Sequence, residues 1–190
     1  MNKSLFRISF AIATATVLFS SCKKDKSNPV PDEQEVITTV KLNVSNSSGF
    51  SRSFVYKIEN GFNNTTPGTI KIDTVKLPAG QVYNASLSVL NEKANPAEDI
   101  TTEIKEKNLE HLFLFQSQPA SGNGSLTVSD GDKDDNGKPL NLNFKLSTGT
   151  AGSGQFTIQL MHQPTNKAGT TPETSGGETD LKAVFPVAIQ

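Results

Sequence analysis

Residues 36–44 read VITTVKLNV, and the alternation within this stretch decides the fold. Val40, Leu42 and Val44 occupy every second position, and the polar residues Lys41 and Asn43 lie between them. Successive side chains of a β-strand point to opposite faces, so this pattern gives one apolar and one polar face. The stretch is therefore predicted to be a strand of an antiparallel sheet that is covered on one side.

The same period of two recurs along the rest of the chain. It is found at residues 36–44, 54–58, 70–72, 83–89, 109–115, 126–128, 140–146, 156–160 and 181–189. Turn-forming sequences such as Asn136-Gly137 separate these runs. About nine strands at such intervals predict two packed sheets. The predicted fold class is mainly β, an immunoglobulin-like antiparallel β-sandwich.

One segment interrupts the period of two. Asn95 is a residue type that caps helix N-termini, and Pro96 suits the first helical position. Ile100 and Ile104 would then share one helix face. The segment predicts one short crossover helix over residues 96–107.

The first residues have the features of an export signal. Lys3 and Arg7 precede an apolar run of 12 residues, 8–19, which is shorter than the about 20 residues that a spanning helix needs. The run ends in Ser20-Ser21-Cys22, which resembles the lipobox of bacterial lipoproteins. Cys22 is the only cysteine of the chain, so no internal disulfide competes for its thiol. We expect removal of residues 1–21 and lipidation of Cys22.

The remaining chain divides into a tether and a domain. Residues 22–35 are charged, proline-containing and without apolar period, which predicts a flexible tether behind the lipidated cysteine. Residues 36–190 are predicted to form the sandwich domain. An anchored protein of this kind is expected at the outer membrane, on its periplasmic or its surface face. Lys and Arg number 18 against 19 Asp and Glu, and without a basic excess no nucleic-acid partner is expected.

Two histidines are candidates for a binding or metal site. His111 and His162 each share the parity of apolar residues in their strands, and Glu110, Glu178 or Asp180 could supply a carboxylate. One hypothesis is a metal site of His111, His162 and Glu110. The other is a pair of core histidines that hydrogen-bond to the backbone or to a carboxylate, for instance His162 with Glu178.

An acidic turn offers a candidate for weak calcium binding. The oxygen-bearing residues Asp130, Asp132, Asp134 and Asn136 lie at alternate positions before Gly137, as in the first half of a calcium loop. The second half does not match, because Asn143 stands where a bidentate glutamate would close the site. The alternative is a solvated hairpin tip, and no other cofactor is expected.

Catalysis is not expected from this sequence. It contains no Gly-x-Ser-x-Gly elbow, no phosphate-binding glycine loop, and no cysteine besides Cys22. The segment QPTNKAGTTPETSGGE, residues 163–178, is longer than most connections in a compact domain. Such loops on rigid scaffolds often bind partners, although a mobile hairpin tip would have the same composition.

Several stretches resemble a family of small lipoproteins from Bacteroidota. The resemblance is carried by EVITTVKLNV (35–44), VYNASLSVLNEKANPAEDITTEIKEKNLEHLFLF (82–115), LNLNFKLSTGTAGSGQFTIQLMHQP (140–164) and SGGETDLKAVFPVAIQ (175–190). Members are often labelled "type 1 periplasmic binding fold superfamily", which implies two α/β lobes, whereas the period of two predicts a sandwich. The family usually has His-Glu-Pro where this chain has His162-Gln163-Pro164, so one ligand oxygen of the metal hypothesis is missing.

Three functions remain for the predicted domain. The first is a lipid-anchored envelope β-sandwich that binds a protein partner or a small ligand through His162, Glu178, Asp180 and the 163–178 loop, as an accessory to an outer-membrane uptake receptor or another envelope protein. The second is a metal-handling lipoprotein that uses His111 and His162. The third is a structural or adhesin-type subunit whose edge strand pairs with another chain.

Overall fold

A computed structural model describes residues 36–190. The predictions for the signal peptide, for Cys22 and for the tether lie outside the described residues. Within the described range the strands are β1 (Thr39–Ser45), β2 (Ser51–Ile58), β3 (Ile70–Ile72), β4 (Val75–Leu77), β5 (Val82–Asn91), β6 (Glu98–Asp99), β7 (His111–Gln118), β8 (Leu126–Ser129), β9 (Asn143–Thr148), β10 (Gly152–His162) and β11 (Glu178–Ile189). The helices are α1 (Ile100–Glu106) and α2 (Pro172–Ser175), and a 3-10 turn spans Asn108–Glu110.

The strands form two sheets packed as a sandwich, which confirms the predicted fold class. The larger sheet has the order β3-β2-β1-β5-β9-β8, with β6 paired to β5, and the smaller sheet has the order β4-β11-β10-β7. Strand pairing is antiparallel except between β11 and β4, which run parallel. The described residues form eleven strands rather than about nine, because β4 directly follows β3 in the chain without a turn-forming sequence to separate them and β6 has only two residues.

The core lies between the two sheets and contains the apolar residues that the alternation selected. Val40 and Leu42 of β1 are fully buried, as are Ile158 and Leu160 of β10. Phe185 of β11 packs its ring edge-on against the larger sheet's Tyr56 at a centroid distance of 5.6 Å. Burial of such side chains, at about 25 cal/mol per Å² of apolar surface, is the main force that holds the layers together.

The helix is shorter than the predicted span of 96–107. Glu98 and Asp99 pair with the end of β5, so the chain is still extended where the sequence predicted the first turn. The cap is Asp99, whose carboxylate accepts from the backbone N–H of Thr101 at 3.0 Å. Ile100 and Ile104 are buried on one face of α1, as expected. Neither helix in the described part of the chain is long and apolar enough to cross a membrane.

Candidate functional site

The two histidines meet at one end of the smaller sheet. His111 is the first residue of β7, His162 is the last residue of β10, and the two are directly paired in the antiparallel ladder. Glu178, the first residue of β11, lies opposite His162 on its other side and is exposed. Since the 163–178 loop leaves and re-enters the sheet at this end, the structure places the predicted site residues at the base of that loop.

The imidazole rings are stacked, and His111 is the buried member of the pair. The ring centroids lie 5.1 Å apart with an interplanar angle of 11°. Nδ1 of His111 is 3.0 Å from the carbonyl oxygen of Lys107, and because a carbonyl only accepts, Nδ1 carries a proton. Nε2 is buried and has no hydrogen-bond partner among the described residues. Burial lowers the pKa of His111 below its ordinary value, so the ring is held neutral.

Two carboxylates lie beside the second ring. Oε2 of Glu110 is 3.9 Å from Nε2 of His162, and Oδ2 of Asp180 is 4.0 Å from Nδ1. Asp180 is there because of a β-bulge: the pairing of Leu160 with Leu181 is followed by that of Met161 with Thr179, which leaves Asp180 as the extra residue. The alternation in the sequence does not predict this bulge. It therefore does not predict which carboxylate lies beside His162.

The cluster does not form a metal site in the structure. Two imidazoles and two carboxylates are near one another, yet no group of three or more His, Cys, Asp or Glu side chains within residues 36–190 is arranged to hold a metal ion. Nδ1 of His111 donates to the Lys107 carbonyl, which anchors this ring to the backbone, and two acids flank His162. These contacts are the ones that the second histidine hypothesis describes.

The acidic turn uses its carboxylate oxygens on protein donors. Asp132 accepts from the backbone N–H of Leu142 at 2.7 Å and from the side-chain amide of Asn143 at 2.6 Å. Asp134 accepts from the backbone N–H groups of Asn136 and Lys138 through Oδ1. Asp130 has a φ of 51° at the edge of the turn. These bonds shape the turn from within the protein, and they occupy oxygens of Asp132 and Asp134 that a calcium ion would need.

A buried ion pair joins the acidic turn to the long loop. Nζ of Lys167 lies 2.7 Å from Oδ2 of Asp134, and the two side chains are only 8% and 2% exposed. The same ammonium donates to the carbonyl oxygen of Asn108, also at 2.7 Å. Burial raises the pKa of Asp134, but the Lys167 ammonium and the N–H donors of the turn outweigh it and hold that pKa below its ordinary value. Sequence analysis missed this contact, because 33 residues separate the partners.

The 163–178 loop contains a short helix and local hydrogen bonds of its own. Thr171 caps α2 through a capping box with Thr174, and Pro172 occupies the start of the helix. Gly169 approaches the backbone of Ser175 so closely that a β-carbon there would lie 2.4 Å from the Ser175 nitrogen. The Thr-Pro-Glu-Thr sequence was the available signal for this helix, since threonine caps and proline begins helices.

The folded loop walls a groove on the outer face of the smaller sheet. Leu112, Leu114 and Met161 alternate with core residues and so point away from the main core, yet they are buried as a second apolar cluster. A groove of about 610 Å³ opens beside this cluster. Its lining combines strand and loop residues: Leu114, Gln116, Gln159, Lys182, Thr171 and Glu173.

Fold and groove together define a class: a two-sheet β-sandwich whose longest described loop folds back to wall a cleft on the smaller sheet. No protein-family model matches this chain, and no curated protein or solved structure matches it either. The function is therefore argued from the site alone.

Proposed function

We propose that this protein is a lipid-anchored β-sandwich of the outer membrane that binds an extended segment of another envelope protein in the loop-walled groove. The export signal and Cys22 support the anchor, and the folded loop supports the binding site. An uptake receptor in the same membrane is the class of partner that this location favours. No residue in the groove is assigned a catalytic role.

The observation that carries the proposal is the set of contacts that hold the wall. The loop is held by the Lys167–Asp134 pair, with its ammonium and carboxylate 2.7 Å apart, and by the capped helix α2. A wall that is ordered before binding loses little conformational entropy when a partner binds, which favours affinity.

The lining suits a peptide better than a small apolar molecule. Leu114 lines the groove but is almost fully buried, so the accessible lining is mainly polar. The amides of Gln116 and Gln159 can each donate to and accept from a peptide backbone. The exposed Glu173 of the loop and the exposed Lys182 of β11 add charges of opposite sign to the lining. A partner segment with complementary charges would be oriented by them.

Photocross-linking in the native envelope tests the proposal directly. A photoreactive amino acid in place of Gln159 should give a discrete cross-linked protein, and the same group in place of Lys71 on β3 should not. Charge reversal by Glu173→Lys or Lys182→Glu should weaken the Gln159 cross-link, while Lys76→Glu on β4 serves as the matched control. A Gln159 cross-link that both groove reversals leave unchanged would count against the groove.

A further inference from the structure

The exposed face of the larger sheet carries an array of short polar side chains. Strand pairing brings Ser53, Asn43, Ser86 and Asn143 into one row across β2, β1, β5 and β9. The next row across the same strands consists of Ser51, Ser45, Asn84 and Lys145. Neighbouring strands are about 4.8 Å apart, so each row presents four polar groups within about 15 Å.

The cavity above this array, which we call the trough, measures about 620 Å³, and the two rows form its floor. Its lining also includes the charged residues Arg52, Asp130 and Asp132. Apart from Lys145, the side chains of the two rows end in a hydroxyl or a carboxamide.

The floor groups are already linked, which orients them. Oγ of Ser53 donates to Oδ1 of Asn43 at 2.8 Å, and Nδ2 of Asn43 donates to Oγ of Ser88 at 3.0 Å. Nζ of Lys145 donates to Oδ1 of Asn84 at 2.5 Å. Hydroxyls and carboxamides both donate and accept, so the floor has donors and acceptors in mixed order.

We propose that this trough binds a neutral, polyhydroxylated chain, that is, a glycan. A glycan hydroxyl also donates and accepts, which matches the mixed floor, and the Asp130 carboxylate in the lining can accept from a hydroxyl. The lining carries charges of both signs, which does not favour a strongly anionic or cationic ligand. The trough belongs to the other sheet from the loop-walled groove, so this site is independent of the partner-binding proposal.

The absence of tryptophan sets the expected strength of binding. Sugar sites that rely on stacking need exposed aromatic rings, and the trough lining contains only Phe144, whose side chain is buried. Recognition would then rest on hydrogen bonds that each contribute about 1 kcal/mol net. We therefore expect weak affinity for a single sugar and stronger retention by a polymer that offers many overlapping segments.

Affinity electrophoresis of the full chain in detergent, through gels that contain mannan, dextran, xylan or laminarin, tests the site. We expect at least one of these neutral polysaccharides to retard the protein. Ser86→Ile, which replaces a floor hydroxyl with an apolar side chain and adds no ring that could stack on a sugar, should weaken the retardation about tenfold, the equivalent of one or two lost hydrogen bonds. Thr127→Ile, an exposed residue of β8 outside the trough, is the matched control and should behave as the wild type.

Three results would overturn the proposal. The first is no retardation by any of the four polymers. The second is equal retardation of the wild type and of Ser86→Ile, provided that both melt at the same temperature. The third is retardation only by a charged polymer such as heparin that disappears in 0.5 M salt, roughly the range where surface ion pairs are screened, which would assign the face to Arg52 and Lys145 instead.

Discussion

At the scale of single residues, His111 makes stability depend on pH. Burial lowers its pKa in the folded state, so between the ordinary value of about 6.5 and that lowered pKa the unfolded chain binds a proton that the folded chain does not. Stability should therefore fall as pH decreases through this window, by at most about 1.4 kcal/mol per pH unit, and then level off. The neighbouring charged groups, His162, Glu110 and Lys107, modulate the effect.

The substitution His111→Asn isolates this contribution. Its side-chain amide can still donate to the Lys107 carbonyl, as Nδ1 of the histidine does, but it does not titrate. Urea unfolding at pH 7.5 and pH 5.5 should give a smaller difference for the variant than for the wild type. An unchanged difference would assign the pH dependence to another group.

The Lys167–Asp134 pair predicts a large effect from one surface-loop lysine. Lys167→Met should lower the free energy of unfolding by about 3 kcal/mol at pH 7, because it leaves the buried Asp134 carboxylate without its cation. The double variant with Asp134→Asn should recover part of this loss, since no charge is then buried alone. Thermal unfolding of the wild type, both single variants and the double variant measures the coupling.

The Lys167–Asp134 pair also makes stability depend on pH. Here the titrating group is a carboxyl group that is stabilised in its charged form, whereas His111 is an imidazole that is held neutral. Because the pKa of Asp134 is lowered in the folded state, the stability that its charge provides is present above its ordinary pKa of about 3.9 and is lost as pH falls through the lowered value. The penalty of Lys167→Met should therefore shrink below pH 4. A penalty that stayed constant down to pH 2.5 would mean that packing of the lysine chain, not charge, is what the variant removes.

At the scale of elements, one threonine joins helix α1 to strand β5. Oγ1 of Thr101 accepts from the backbone N–H of Val89 at 2.8 Å and donates to the carbonyl of the same residue at 3.2 Å. Thr101→Val keeps the shape but leaves two buried backbone groups unpaired, so we expect a loss of about 2–4 kcal/mol. Thr102→Val, on the exposed side of the same turn, should cost far less. Equal losses would show that helix propensity, not the bond to β5, dominates.

Period-two patterns predicted the strands wherever one face is covered and the other is wet. They succeeded for β1, where Val40, Leu42 and Val44 are buried as expected. They were less informative for β7, where Leu112 and Leu114 are buried by the outer cluster while Phe113 is buried in the core. A strand that is covered on both faces has no alternation to read, and nothing near β7 in the sequence indicates that its outer face is buried.

The start of helix α1 was decided by pairing with the strand that precedes it in the chain. Asn95 and Pro96 carry the local signals of a helix start, but Glu98 and Asp99 pair with β5, and α1 begins only at Ile100. Backbone hydrogen bonds to an existing strand outweigh a capping preference of about 1 kcal/mol. The β-bulge at Asp180 is likewise set by strand pairing, in this case between β11 and β10.

At the scale of the whole molecule, the candidate sites arise from contacts that no local pattern encodes. The groove depends on Lys167 of the loop meeting Asp134 of the acidic turn and the carbonyl of Asn108 beyond α1. The trough depends on the register that aligns Ser53, Asn43 and Ser86 across three strands. The sequence predicts that such strands exist and which face is polar. It does not predict which side chains stand next to one another, because register follows from the assembled sheets.

The last prediction concerns the lipid anchor, which determines where the whole chain is found in the cell envelope. If Cys22 carries the lipid, Cys22→Ser should move the protein from the membrane fraction to the soluble fraction and abolish incorporation of a labelled fatty acid, since stable attachment needs at least two acyl chains. The double substitution Cys22→Ser with Ser27→Cys is the sharper control: it keeps one thiol in the same tether but moves it away from Ser20-Ser21, so it should stay unlabelled. Labelling of that variant, or retention of Cys22→Ser in salt-washed membranes, would mean that something other than a lipid on Cys22 holds the domain at the envelope.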